Sequence, residues 1–231
     1  MATWFQSLRS LLVAETCYAC ERNLTSQEQY VCFGCLGQLQ ETGFQYRERD
    51  NELFFRLAGR VPLAGAASMF YFDKGGKLQT LLKALKYQDA PYLATYLGRY
   101  LAERMADSPL REGIEALVPV PLHRSKLRQR GYNQAERLAR GIAERWDLPV
   151  RTDVLRRPRR TATQARQGGS ARWQNVAGAF AAQDDLPSGI LLIDDVITTG
   201  STLEACIKAL VAHADPLPPV KVLSLGLARE Q

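Results

Sequence analysis

The sequence predicts an α/β fold: an open, mostly parallel sheet flanked by helices, preceded by a small cysteine-bearing module. Three observations carry this reading. The aliphatic run Ile190-Leu191-Leu192-Ile193 passes straight into Asp194-Asp195, then into the small-residue stretch Thr198-Thr199-Gly200-Ser201-Thr202, and Leu203 to Val211 follows with apolar residues at helical spacing. An unbroken apolar run marks a strand buried on both faces, as in parallel sheets. Leu117-Val118-Pro119-Val120-Pro121-Leu122 is a second apolar run, again followed by a polar loop and a helical pattern. Four of the five cysteines are grouped as Cys17-x-x-Cys20 and Cys32-x-x-Cys35.

Taken from the start, Trp4, Phe5, Leu8, Leu11 and Leu12 share one helical face, and Arg9 interrupts what would otherwise resemble an export signal. No apolar run approaches the ~18–20 residues that span a bilayer, so the expectation is a cytoplasmic protein. The two Cys-x-x-Cys pairs match tetrahedral structural zinc held by Cys17, Cys20, Cys32 and Cys35. Two knuckles close the metal shell and leave no open catalytic position. Disulfides are the alternative, disfavoured without an export signal. Cys206 falls on the apolar face of its helix and reads as a packing residue. The expected division is a module over residues 1–45 and an α/β domain over residues 60–231.

A short helix is expected over Leu36 to Thr42, then a mixed polar connection. Ala66 to Phe72 reads as a strand, ended by the turn Asp73-Lys74-Gly75-Gly76. Leu78, Leu81, Leu82 and Leu85 repeat at helical spacing until Lys86 to Pro91 breaks the pattern, and a second helix runs from about Tyr92 to Met105. Pro119 and Pro121 must end their strand early. The basic stretch His123 to Gly131 reads as a loop, followed by a helix from about Asn133 to Trp146. Val154-Leu155 is a short strand, residues 156–169 form a basic, glycine-ended loop suited to a lid, and Val220 to Leu227 is a final strand.

Small residues leading from a strand into a helix make an anion site, because the first helical amides lack internal partners and the dipole is positive there. Two carboxylates beside it suit a ligand bearing hydroxyls or a metal, such as a phosphorylated sugar. Ser201-x-x-Glu204 also fits a capping box, which would explain those two residues but not the carboxylates. No Gly-x-x-x-x-Gly-Lys-Ser/Thr and no Gly-x-Gly-x-x-Gly occurs, so neither a P-loop nor a dinucleotide fold has support.

Charge is unevenly placed. Of the net +6, residues 123–172 hold 14 Lys/Arg against 4 Asp/Glu, net +10, and the remainder, with 16 against 20, is net −4. A basic half implies anionic partners: phosphorylated small molecules or nucleic acid.

Leu191 to Thr202 resembles the phosphoribosyl pyrophosphate (PRPP) motif of type I phosphoribosyltransferases. The resemblance implies that fold, with Asp194 and Asp195 on the ribose hydroxyls and Thr198, Thr199, Gly200, Ser201 and Thr202 around the 5-phosphate. Val-Pro-Val-Pro before a basic loop resembles the pyrophosphate loop of the amidophosphoribosyltransferase branch, implying that Leu122, His123, Arg124 and Lys126 face pyrophosphate, with Mg²⁺. A flexible loop closes over PRPP in that fold family, and Gln164, Arg166 and Arg172 are the lid residues expected to reach the ligand. That branch also carries a glutaminase with Cys after the initiator Met, whereas residue 2 here is Ala.

The cysteine knuckles, Leu85-Lys86-Tyr87, Val-Pro-Val-Pro-Leu-His, Arg130-Gly131-Tyr132-Asn133-Gln134-Ala135, Arg166…Arg172…Asn175…Phe180 and the Asp-Asp motif together resemble the ComF/GntX family of competence and DNA-utilisation proteins. This implies a zinc-finger module fused to a phosphoribosyltransferase-type domain. It also implies a role in using external DNA by handling single-stranded DNA in the cytoplasm, with competence-machinery proteins as partners. Two functions stay open: a PRPP-binding module whose basic half, with Tyr132, Trp146 and Trp173, binds single strands, or an active PRPP-dependent transferase with an unidentified acceptor and no DNA contact. A zinc-dependent adaptor with a vestigial pocket is a third.

Overall fold

A computed structural model describes residues 15–158, 178–183 and 185–229. The expected N-terminal helix and the lid residues Gln164, Arg166 and Arg172 lie outside the described residues, as does Trp173.

Strands β1 (Gly65–Phe72), β2 (Ala116–Pro119), β5 (Ile190–Ile197) and β6 (Val220–Ala228) form one parallel sheet in the order β1-β6-β5-β2. Strands β3 (Leu155–Arg156) and β4 (Ala181–Ala182) pair antiparallel outside it. The two central strands are the most apolar: residues 190–193 and 220–227 are buried throughout. Register sets Ile193 opposite both Pro119 and Leu223, so the β2 ladder stops where the expected proline break falls, while β5 continues beside β6 to Ile197. Asp194 and Asp195 therefore stand on the half of β5 that only β6 supports.

Both sheet edges are covered, as a row of unpaired amides would otherwise invite association. Tyr71 and Ala66 of β1 donate to the carbonyls of Gln40 and Glu48, and Leu117 of β2 donates to Pro149. The buried Lys221 of β6 is satisfied by the Glu48 carboxylate at 3.0 Å and the Pro109 carbonyl at 2.7 Å.

Seven α-helices are seen among the described residues: α1 (Phe33–Leu36), α2 (Glu52–Ala58), α3 (Lys77–Tyr87), α4 (Pro91–Arg104), α5 (Arg124–Arg130), α6 (Gln134–Trp146) and α7 (Ser201–Val211). Helix α3 buries Leu78, Leu81, Leu82 and Leu85 as expected and ends at Tyr87, before the Ala90-Pro91 step that disfavours helix and opens α4. Helices α4 and α6 meet backbone to backbone. A Cβ at Gly98 would stand 2.2 Å from the Leu138 carbonyl oxygen, and one at Gly141 2.1 Å from that of Thr95. No helix among the described residues is long and apolar enough to cross a membrane.

Three expectations need correction. The helix expected over Leu36 to Thr42 lies earlier, at Phe33–Leu36, because the Cys32 side chain accepts from the Cys35 amide and starts it there. The polar connection before residue 60 contains α2, whose cap Asn51 accepts from the Phe54 amide while Leu53 and Leu57 face the core. The basic loop after β2 is α5: the His123 ring caps it by accepting from the Ser125 amide, and Gly131 closes it at φ 77°, a conformation that favours glycine.

Candidate anion site and cysteine cluster

Asp194 and Asp195 end the buried part of β5, one side chain after the other. The Asp194 Oδ1 accepts from the Asp195 amide at 2.9 Å. Its carboxyl lies below the surface layer, although the residue keeps partial solvent contact. Burial, reinforced by the neighbouring Asp195 charge, pushes it up to about 8. The buried Cys206 of α7 sits behind it.

Asp195 faces cations. The Lys86 Nζ, from the last turn of α3, stands 2.7 Å from its Oδ2. That oxygen lacks an aligned hydrogen bond, so the contact is one of charges. Lys126 of α5 is half-buried, and its pKa is lowered, first by burial and then by Arg157, Arg130 and Lys86, while Asp195 works in the opposite direction. Arg157, just past β3, feels burial against its charge and Asp194 in favour of it. Lys86 thus pairs with Asp195, Lys126 and Arg157 feel the carboxylates, one of which resists ionisation, and Arg130 stands next in line beside Lys126. The excess positive charge suits a polyanion.

The loop Thr198–Gly200 leads into α7. Gly200 is the N-cap at φ 77° and has no side chain to cap with, and a Cβ there would meet Leu57 Cδ2 at 2.7 Å. The Thr199 and Ser201 hydroxyls are 2.8 Å apart, and Ser201 and Thr202 occupy the first turn. The capping box is not formed, because Ser201 is already inside the helix. Glu204 instead pairs with Arg60 at 3.2 Å and Lys208 at 2.7 Å. The loop is braced from below by α2: Arg56 Nη1 donates to the Thr198 carbonyl at 2.6 Å, and Arg60 Nη2 to that of Thr199 at 3.1 Å. Neither arginine stood out in the sequence, although their i,i+4 spacing was visible.

Of the expected pyrophosphate-loop residues, Leu122, His123 and Lys126 are half-buried and Arg124 is exposed. The two aromatics expected to stack on DNA bases are not available for it. Tyr132 is buried with its hydroxyl on the Leu85 carbonyl at 2.6 Å, and Trp146 is buried with its Nε1 on the Ala102 carbonyl at 3.1 Å.

In the N-terminal module the sulfurs of Cys17, Cys20, Cys32 and Cys35 all lie within 4.8 Å of one another. Cys20 and Cys32 are 3.8 Å apart, close to the edge of a tetrahedron built on Zn–S bonds of ~2.3 Å and too far for a disulfide. Backbone amides already point at the sulfurs: Ala19 and Cys32 donate to Cys17 Sγ, and Cys35 donates to Cys32 Sγ. Such donors stabilise thiolates around a metal. The cluster fits a structural metal such as zinc.

The fold and site define a parallel α/β domain with a carboxylate pair and small-residue loop after its central strand, preceded by a four-cysteine module. This is the layout that the phosphoribosyltransferase resemblance implies. The chain is 35% identical over 140 residues to Competence protein F of Haemophilus influenzae, covering 58% of this chain and 61% of that protein. It is 27% identical over 149 residues to DNA utilization protein YhgH of Escherichia coli K12, covering 61% and 64%. The chain spans somewhat over three fifths of the length of these relatives. No family model matches the sequence. Among solved structures, adenine phosphoribosyltransferase from Leishmania tarentolae is similar at 14% identity and TM-score 0.34, over 82% of this chain and 94% of that one. UMP synthase from Leishmania donovani is similar at 17% and 0.33, over 80% and 32%. Likenesses this slight carry no functional argument.

Proposed function

We propose that the chain binds PRPP, or a related phosphorylated sugar or nucleotide, at the carboxyl end of β5, and acts in the utilisation of external DNA. The observation that carries the ligand class is the meeting of two carboxylates, four cations and a glycine-turned loop opening α7. In this reading Asp194 and Asp195 accept from the ribose hydroxyls. Thr198, Thr199, Gly200, Ser201 and Thr202 hold the 5-phosphate by hydroxyls and helix amides. Leu122, His123, Arg124 and Lys126 meet the pyrophosphate, and Gln164, Arg166 and Arg172 close over it. Mg²⁺ belongs with the pyrophosphate oxygens, since this ion is usually held by one or two carboxylates together with ligand phosphates. Zinc holds the module of residues 1–45 beside the domain of residues 60–231.

Titration calorimetry with PRPP and Mg²⁺ tests the pocket. Saturable binding should weaken by about tenfold or more in Asp194→Asn/Asp195→Asn, because the ionised Asp195 accepts charge-assisted hydrogen bonds that an amide cannot replace. Unchanged affinity would remove the assignment.

The DNA role rests on similarity to competence and DNA-utilisation proteins and on the basic half of the chain. With Tyr132 and Trp146 buried, the stacking surface for a single strand moves to Tyr87 and Tyr92, 72% and 73% exposed, which follow Lys86 in sequence. Binding of oligothymidine should fall steeply with salt as counterions are released, and Tyr87→Ala/Tyr92→Ala should weaken it. A flat salt response argues for the other reading: a transferase acting on PRPP and an unidentified acceptor without DNA contact. Handling of incoming strands in the cytoplasm, alongside competence-machinery proteins, completes the proposal.

A further inference from the structure

The motif Arg130-Gly131-Tyr132-Asn133-Gln134-Ala135 contributes no side chain to the pocket as proposed, apart from the charge of Arg130. Its remaining polar groups are spent on three neighbouring segments. The Tyr132 hydroxyl and the Gln134 Nε2 both donate to the Leu85 carbonyl, at 2.6 and 3.0 Å. That carbonyl belongs to the last turn of α3, where no helical amide remains to satisfy it. The next residue is Lys86, whose Nζ is 2.7 Å from Asp195 Oδ2. The other end of the Gln134 amide, Oε1, accepts from Arg130 Nη1 at 2.9 Å. Asn133 Nδ2 donates to the Val120 carbonyl at 3.0 Å, where the chain leaves β2. Gln134 is 1% exposed and Tyr132 7%.

We infer that Tyr132 and Gln134 are positioning residues that set Lys86 and Arg130 at a fixed separation for a bound anion. One amide grips the segment carrying the first cation and the side chain of the second. It needs a donor at one end and an acceptor at the other, the pattern of a primary amide, and Asn is one methylene short. Rigid spacing matters because a displacement of about 1 Å in a positioned group can cost on the order of a hundredfold in function. The inference rests on the anion pocket proposed above and adds what fixes its geometry.

The test uses inorganic pyrophosphate as probe, with its dissociation constant measured across pH for the full chain, Gln134→Leu and Tyr132→Phe. In the unchanged protein, affinity should fall as pH rises through the lowered pKa of Lys126, since only its ammonium form attracts the anion. The groups that act on Lys126 are Arg157 past β3, Arg130 on α5, Lys86 on α3 and Asp195 on β5. Loss of the Gln134 amide loosens the Arg130 side chain and leaves the segment before Lys86 on Tyr132 alone, so the two repulsive neighbours of Lys126 are held less closely. Gln134→Leu should therefore bind about tenfold more weakly or worse and lose its affinity at a higher pH than the unchanged protein does. The probe's own protonation is common to all three proteins. Tyr132→Phe keeps the ring and leaves the carbonyl one donor, so a loss of about threefold is expected, with the pH profile moved the same way. If Gln134→Leu does not fold, Tyr132→Phe decides. Wild-type affinity with an unmoved profile in both variants overturns the inference alone, as does a fall in Tm with no change in the profile. No pyrophosphate binding by the unchanged protein overturns the pocket and the inference together.

Discussion

Asp194 shows what a carboxyl group below the surface does to the molecule that carries it. Its raised pKa means that the folded chain holds a proton that the unfolded chain has already released, between the ordinary value of about 4 and about 8. Stability from this residue is complete below the unfolded value and is lost as pH rises through that window. Asp194→Asn keeps the oxygen that accepts from the Asp195 amide and removes the charge. Its Tm should match the unchanged protein below about pH 4 and exceed it increasingly toward pH 8, with a stability difference that grows by up to about 1.4 kcal/mol per pH unit. A variant uniformly less stable across this range would contradict the account. The carboxylate pair was legible in sequence because two acids ending an aliphatic run have few structural excuses. The partner of Asp195 was not: Lys86 reaches it from a helix far away in the chain, and only the fold supplies that proximity.

Helix α2 is the element that sequence reading passed over, and it braces the loop beneath the candidate phosphate site. Its arginines put planar, multi-donor heads on loop carbonyls, and Arg60 also neutralises the buried Glu204. Arg60→Ala should destabilise the protein by about 1–3 kcal/mol through the poorly compensated Glu204 and weaken binding of ribose 5-phosphate. Arg60→Lys should recover less than half of either loss, because a compact ammonium lacks the planar fork whose separate nitrogens reach Glu204 and the Thr199 carbonyl. Denaturant melts and calorimetry read the two effects separately. The segment looked like a connection because it is short and charged, and its helical pattern is a single turn-pair, Leu53 and Leu57. Helix α5 was missed for a related reason. It buries no residue, so it has no apolar period to find, and its marks are only a capping His123 and a closing Gly131. The long helices α3, α4 and α6 were legible within a residue or two, since each repeats an apolar face over several turns. The same periodicity cannot say whether an aromatic on that face is a platform or a packing residue, which is how Tyr132 and Trp146 misled.

At the scale of the whole molecule, the cysteine-bearing segment packs directly on the sheet: Tyr71 of β1 donates to the Gln40 carbonyl, Thr42 donates to the Met69 carbonyl, Lys77 Nζ reaches the Ala19 carbonyl at 3.4 Å, Tyr30 meets Tyr96 with ring centroids 5.6 Å apart, and Val31, Cys35 and Leu36 join the same hydrophobic core. A four-thiolate metal contributes on the order of 10–16 kcal/mol of apparent folding energy. One zinc per chain is expected by metal analysis. Strong chelation should expose four reactive thiols and abolish a separate thermal transition, while the transition of the sheet persists. Loss of both together would show that the module is integral to the domain. The parallel class of the sheet was readable from its two-sided apolar strands. The order β1-β6-β5-β2 was not, because crossovers and not local patterns decide which strands become neighbours.

The contact of Gly98 with Gly141 has a mechanical meaning. Where backbones touch, no side chain remains to change rotamer and absorb a displacement, so α4 and α6 can turn only as one plate. The amino end of that plate in α6 carries Gln134, beside the cations, and α4 carries Tyr96, against the cysteine module.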